Sequence, residues 1–463
     1  FGRAFKLCAR AWRVMVAVIR APAALPSCVG ALSLLSFNVL LPNGADGWWL
    51  YKQYPPGLES RASAAWPARQ SLIRAAIAEA NADVVLLQEV SPETFPDDFA
   101  FMADLGYEAL MYSKKGRFRP ATFWKSTKCT LLAEAHRDRC LLTTFETAPC
   151  ENRKVICVVN AHLQAGPEGG RRLRQTVEAL DHATKSLKKL GVPPRIVFAG
   201  DLNGGDDSAA VRLLEDGFVK SGFVEDGEVC TLKDKNNAAG IFLDASAAAS
   251  ERPPPPTLVV PELYASISKG ESTGTRQDDL SDDAVSAFRE AFFERASGVF
   301  EGGKVMTKGD VEAWLVDING HVGRGSEFRA ALEFMAPTPP TPPPPSAVDA
   351  APDALEEPAP LRREFPADSL PLSVDSFVEI YRQELRQGKV WGVAHDLGAL
   401  GKWPLPQTRK GALFTARFDR IYCSEHLRVV SVRDSTSDVP CPNANHASDH
   451  LPVGAVLQFS DGA

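Results

Sequence analysis

The sequence predicts an α/β protein with helical outer layers, and three observations predict it. Short apolar runs rich in Val, Ile and Leu recur along the chain, helical patterns separate them, and most residues within a run are apolar rather than every second one. A strand that is apolar throughout has to be covered on both faces, so helices must lie outside the sheets. Hydrophobic residues make up 44% of 463. That is enough for a sizeable core, in a chain long enough for one large domain and further segments.

Taken in order, residues 1–30 carry Arg3, Lys6, Arg10, Arg13 and Arg20 and no acid, a composition that suits an organelle-targeting leader or a basic amphipathic helix. The apolar runs are Leu32–Leu41, Asp83–Val90, Lys154–Leu163, Arg195–Asn203, Phe418–Cys423 and Pro452–Phe459. Between the first two, Leu72, Ile73, Ala76, Ile77 and Ala80 fall on one face of a helix over Trp66–Asn81. Leu173, Val177 and Leu180 place a second helix at about residues 170–190. The rhythm stops near residue 244. A linker is expected over 244–277, a helical insertion over 278–335 and a Pro-rich acidic linker over 336–372, with the α/β pattern resuming over 373–463.

Charge follows the same division. Residues 244–375 hold 23 acids and 11 bases and residues 1–30 are net +5, so the remainder of a chain of net charge −7 is neutral. A neutral catalytic part does not resemble a non-specific nucleic-acid binder, although a local basic groove stays open. Nine scattered cysteines with no C-x-x-C pair read as reduced thiols of an intracellular protein. No run of 18 apolar residues is present, so no membrane span is expected.

Each apolar run ends in polar groups of the kind that metals and phosphates need. They are Ser36-Phe37-Asn38, Gln88-Glu89-Val90, Asn160-Ala161-His162-Leu163 and Gly200-Asp201-Leu202-Asn203, followed by Phe418-Asp419-Arg420-Ile421 and Ser448-Asp449-His450. One polar strand end is ordinary; six with Asn, Glu, His and Asp look like one site where strand ends converge. Oxygen donors with amides and imidazoles suit Mg²⁺ or Mn²⁺ rather than structural zinc.

In this order the motifs resemble the endonuclease/exonuclease/phosphatase superfamily. Trp66 and Arg69, Ala121-Thr122-Phe123-Trp124-Lys125, Pro167-Glu168 and Gln175 resemble its deadenylase/nocturnin-like branch. The resemblance covers about residues 31–243 and 373–460. It implies a four-layer α/β sandwich of two packed mixed sheets flanked by helices, and metal-assisted in-line attack of water on a phosphate ester. It assigns Glu89 as principal metal ligand with Asn38 beside it, and Asp201 as the group that orients or deprotonates the water. His162 and Asn203 would donate to the charge on phosphorus, and His450 would hold the phosphate or assist protonation. Asp419 would fix the His450 tautomer, and Asp449 would be a second metal ligand or a support.

Two further clusters are candidates for substrate contact. Trp48 and Trp49, with Tyr51 and Tyr54, either stack on a base or lipid headgroup or pack on the domain. Lys114, Lys115, Arg117 and Arg119 either meet a substrate phosphate or form a solvated loop. The insertion resembles an EF-hand through its two apolar-faced helices and through Gly303 and Val305. Its ligand positions, however, fall on Gly298, Phe300, Gly302 and Gly309, so calcium is not expected there, and the use of the insertion is regulatory, partner-binding or none. A second candidate loop starts at Asp317. Three functions are carried forward: an RNA 3′-exonuclease or deadenylase, with RNA favoured over DNA; a hydrolase of a dinucleotide phosphate or phospholipid; and an inactive scaffold or calcium-responsive binding protein.

Overall fold

The computed structural model describes residues 19–20, 25, 30–41, 66–114, 116, 118–147, 154–166, 168–249, 253–261, 266–269, 279–323, 325–337, 364–387, 389–403, 405, 413–439 and 441–460. They divide into two compact units. The first takes the described residues up to 261 and from 413 onward, and the second takes those between.

The first unit is built on two mixed sheets. One runs, strand by strand, Ile19–Arg20, Leu427–Asp434, Val453–Phe459, Ala31–Asn38, Val84–Val90, Arg119–Lys125 and Tyr107–Met111. The other runs Leu243–Asp244, Asp419–Cys423, Ile196–Asp201, Val155–His162, Cys140–Thr147 and Cys129–Arg137. Leu34, Val84 and Leu86 of the first sheet meet Ile156, Val158, Val197 and Ile421 of the second in one buried cluster. The helix Trp66–Ala80 covers the outer face of the first sheet through Ile73 and Ile77. The helices Gly169–Lys189 and Ala209–Asp216 cover the second through Leu173, Leu180, Val211 and Leu214. This is the expected four-layer sandwich, and it explains the continuous apolar runs: Val155–His162 is buried at every position.

Two boundaries differ from the sequence expectation. Residues 244–261 are not all linker: Leu243–Asp244 pairs with Asp419–Cys423, and Leu258–Pro261 pairs with Leu413–Ala416. The α/β pattern does not resume at residue 373 either. The helices Val374–Arg386 and Val390–Ala399 belong to the second unit, where Phe377, Tyr381 and Val393 share a core with Phe288, Phe292, Trp314 and Leu315. Amphipathic spacing identifies a buried face but not the partner it is buried against, so the sequence pattern does not say which body these helices join.

In the second unit the helices Asp282–Arg295 and Lys308–Asn319 flank a hairpin of Gly298–Phe300 and Gly303–Val305. Asp310 closes this segment by accepting from the Ser297 and Thr307 amides. The second candidate loop is not a loop at its start. Asp317 lies on a helix in an ion pair with Arg295, and Asn319 is buried and donates to Glu327. The Pro-rich run from residue 338 to 363, and all of the leader but Ile19–Arg20, Leu25 and Gly30, lie outside the described residues.

Candidate active site

Register brings the strand-end residues into a row. In the second sheet His162 is the partner of Asp201 across a parallel pair, and Asp201 is the partner of Asp419 across an antiparallel pair. Partners in register present their side chains on one face, and this face is turned toward the first sheet, because Ala199 and Ile421, two residues away on their strands, lie in the inter-sheet core. From the first sheet Asn38 stands beside Gln88 in a parallel pair.

Glu89 reaches the same place by a bulge. Leu87 pairs with Ala121 and Val90 with Arg119, so Gln88 and Glu89 together oppose Pro120 alone. Glu89 takes up the irregularity with φ = +63°. A left-handed conformation at a residue other than glycine costs about 1 kcal/mol. The return is an extra residue that re-aims the carboxylate while Gln88 stays buried, donating to Ser36 Oγ and Asn160 Oδ1.

The side chains form one network. Asn38 Nδ2 donates to Glu89 Oε1 at 3.2 Å and to Asp201 Oδ2 at 3.0 Å. His162 Nε2 lies 3.7 Å from Glu89 Oε1 and 3.8 Å from Asp201 Oδ2. His450 Nδ1 lies 2.7 Å from Asp419 Oδ2, and its Nε2 is 3.9 Å from Asp201 Oδ2. The Asn203 amide group donates to Leu163 O and Asp201 Oδ2, and its backbone N–H donates to Asp201 Oδ1. Both hydrogens of that amide group are thus engaged, so in this structure Asn203 orients Asp201. Asn38 likewise bridges two carboxylates, with its Oδ1 accepting from Leu40 N. Asp449 is half-buried, and its Oδ1 accepts from Ser448 Oγ at 3.3 Å.

Burial and charge separate the protonation states. Burial, and then the nearby charge of Asp449, push the Glu89 carboxyl up to about 7. Burial holds the His162 imidazole down at about 4, so that ring is neutral. Burial also opposes charge on His450, but the Asp419 and Asp201 carboxylates outweigh it and hold His450 well above the ordinary histidine value.

A divalent cation fits these residues. Ligand atoms of Asp201, Asp419 and His450 lie within 4.8 Å of one another, but a charged His450 has no lone pair to give, so the carboxylates are the groups that could hold an ion. Asp419 Oδ1 is buried without a hydrogen-bond partner. The raised Glu89 carboxyl, surrounded by like charges, is in the setting that a cation would relieve.

Two residues outside the strand-end motifs complete the scaffold. Arg69 is 1% exposed and donates to the carbonyls of Val39, Leu40, Leu41 and Ala447. It therefore ties the loop after Asn38 to the loop before His450. The signal was present, since a cation sat in register with Ile73, Ile77 and Ala80 on the apolar face. Thr257 Oγ1 accepts from the Phe418 and Asp419 amides at 3.0 Å, and nothing in the sequence marks it. Arg119 donates to Gly116 O and Tyr112 O on its own hairpin, while Trp48, Trp49, Lys115 and Arg117 lie outside the described residues.

A buried site of carboxylates, amides and imidazoles at the open ends of two packed mixed sheets defines a class of phosphate-handling protein. The model of the endonuclease/exonuclease/phosphatase family matches residues 35–450, and the chain belongs to that family. Human 2',5'-phosphodiesterase 12 is 28% identical over an alignment of 189 residues, with 33% of this chain and 30% of that protein covered. The mouse protein of the same name is 26% identical over 187 residues, and in both cases the match spans less than a third of the relative. Among solved structures, ANGEL2, a 2',3'-cyclic phosphatase, in complex with adenosine-2',3'-vanadate has a TM-score of 0.47 at 14% identity, covering 93% of this chain and 96% of that one. The human Nocturnin catalytic domain with bound sulfate has a TM-score of 0.43 at 12% identity, covering 94% and 96%. No helix among the described residues is long and apolar enough to cross a membrane.

Proposed function

We propose that the chain is a Mg²⁺-dependent phosphodiesterase acting on a nucleotide linkage, with the 3′ end of RNA as its substrate. The observation that carries this reading is the joining of Asn38, Glu89, Asp201, His162 and the Asp419–His450 pair in a single network. Family membership supports phosphate-ester hydrolysis, and the name of the 2',5'-phosphodiesterase relative supports an oligonucleotide linkage. Mn²⁺ has the same donor preference and would serve in place of Mg²⁺.

Glu89 and Asp449 would hold the metal, with Asp201 at its edge. When bound, such a cation polarises a phosphoryl oxygen and neutralises part of its charge. The chain's own groups do the rest. Asp201, fixed by Asn38 and Asn203, orients the attacking water and takes its proton. Neutral His162 donates from Nε2 to the charge developing on the phosphoryl oxygens, a contribution of about 2–4 kcal/mol in a water-poor site. His450, charged and held by Asp419, donates from Nε2 to a non-bridging phosphate oxygen beside the water. Because His450 Nε2 and Asp201 Oδ2 are only 3.9 Å apart, the substrate phosphorus would sit in front of the pair, with the water on their side and the ester oxygen leaving on the far side as the new bond forms.

The test is turnover of 3',5'- and 2',5'-oligoadenylate, a dinucleotide phosphate and sphingomyelin with Mg²⁺, by wild type, Glu89→Ala and His450→Ala. Cleavage of the 3',5'-oligoadenylate from its 3′ end, lowered at least 100-fold in both variants, is expected. Hydrolysis that survives both substitutions would overturn the site. Turnover of only the dinucleotide or the lipid would replace the substrate assignment and leave the chemistry standing.

A further inference from the structure

The row His162, Asp201, Asp419 extends one residue further. The strands Cys129–Arg137 and Cys140–Thr147 are joined by a two-residue turn, Asp138-Arg139, and Cys140 is the partner of Ala161. The His162 N–H donates to Arg139 O at 3.0 Å, which carries the antiparallel ladder one step past its last pair. Arg139 is therefore the cross-strand neighbour of His162, and the two lie at the same end of the sheet.

Two features of Arg139 have no structural explanation. Its φ is +55°, at a turn position where glycine or asparagine is the residue of least strain. A turn needs no arginine there, and an observed outlier of this kind points toward function. Its half-buried guanidinium also makes no ion pair within 4 Å among the described residues. The adjacent acid is already committed: Asp138 accepts from Arg171 Nε at 3.3 Å and from Gln175 Nε2 at 2.9 Å. Gln175 in turn accepts from Gln164 N, two residues past His162. The turn is thus tied to the loop that follows His162, while Arg139 is left without a counter-ion.

We propose that Arg139 is a substrate-binding residue of this site, its guanidinium taking a phosphate oxygen of the substrate on the His162 side of the carboxylates. The assignment rests on the phosphodiesterase reading above and deepens it. A planar guanidinium presents paired N–H donors that match two phosphate oxygens, which a point charge does not. The electrostatics agree with the placement. Burial and the like charge of Arg171 weigh against the Arg139 cation, and the carboxylates of Asp138, Glu89 and Asp201 support it. A phosphate arriving between Arg139 and the metal position would meet positive charge on both sides. That sets the substrate class as an anionic phosphodiester rather than a neutral ester.

Arg139→Gly and Arg139→Lys separate this role from a structural one, because glycine removes the side chain and relieves the backbone at once. Three quantities are measured with Mg²⁺ present: the affinity for inorganic phosphate by calorimetry, kcat and KM on whichever phosphodiester the wild type turns over, and Tm. For Arg139→Gly the expected result is a loss of phosphate affinity and of kcat/KM of about 10- to 100-fold, with Tm unchanged or raised. Arg139→Lys should fall between the two. The proposal is overturned if wild type shows no phosphate binding, if Arg139→Gly stays within about twofold of wild type in phosphate affinity and kcat/KM, or if its losses come with a lowered Tm that lysine restores together with full affinity. If wild type hydrolyses no phosphodiester, the parent reading fails on its own, and the phosphate titration still decides the role of Arg139.

Discussion

Asp419→Asn removes the partner of His450 with almost no change of shape, and its effect can be worked from the structure. The His450 Nδ1 to Asp419 Oδ2 distance is 2.7 Å, and the carboxylate side chain is 0% exposed. A hydrogen bond to a charged group contributes about 1.5–3 kcal/mol, which is about 10- to 150-fold in rate. An asparagine that turns its NH₂ toward Nδ1 adds the wrong tautomer, a change that costs about 10⁴ in the serine-protease triad. We therefore expect kcat/KM to fall by about 10²–10⁴.

The pH profile gives a second readout. In wild type, the Asp419 carboxylate overcomes burial and keeps His450 charged above the ordinary value of 6.5. Without it burial remains and the imidazolium is lost at lower pH, so the alkaline limb of kcat/KM moves to lower pH. Stability has the same sign. The raised His450 value contributes stability that is fully present below pH 6.5 and lost as pH rises through the folded value, so the variant should flatten that slope. The assay is kcat/KM from about pH 5 to 9, with circular dichroism as a control for the fold. A variant that keeps its native spectrum, stays within about threefold of wild type and leaves the alkaline limb in place would refute the reasoning.

Two further outcomes follow from buried charge. Arg69→Ala leaves the carbonyls of Val39, Leu40, Leu41 and Ala447 without that donor, and urea unfolding of the first unit should lose about 3–5 kcal/mol. A loss below about 1 kcal/mol would show that water replaces the guanidinium, and Arg69→Lys should not restore stability because one ammonium cannot reach four splayed carbonyls. In the second unit, burial and then Glu327 push the Glu384 carboxyl up, against the opposing pull of Lys389 at 3.1 Å. A raised acid contributes stability that is fully present below its ordinary 4.5 and lost as pH rises through the folded value, so melts of the chain should show a transition that weakens above that pH. Glu384→Gln should flatten this dependence, and a pH slope equal to that of wild type would contradict the assignment.

The amino-acid sequence by itself determined the composition of the layers and the identity of the strand-end groups. Apolar runs such as Val155–His162 had to be covered on both faces, and the motifs at their ends named Asn38, Glu89, His162, Asp201, Asp419 and His450. Both are local properties, set by side-chain chemistry at short spacing. The half-exposed strand Cys129–Arg137 was not legible, because polar and apolar residues mix on an edge strand. The tertiary structure alone decided the rest. Register across three strands set His162, Asp201 and Asp419 in one row, and a bulge opposite Pro120 turned Glu89 toward Asn38. Packing gave Val374–Arg386 to the helical unit rather than to the sheets. The physical reason is the same in each case. A residue's type fixes what it can bond to, while its partner is fixed by which distant segment reaches the same face, and no spacing along one chain records that.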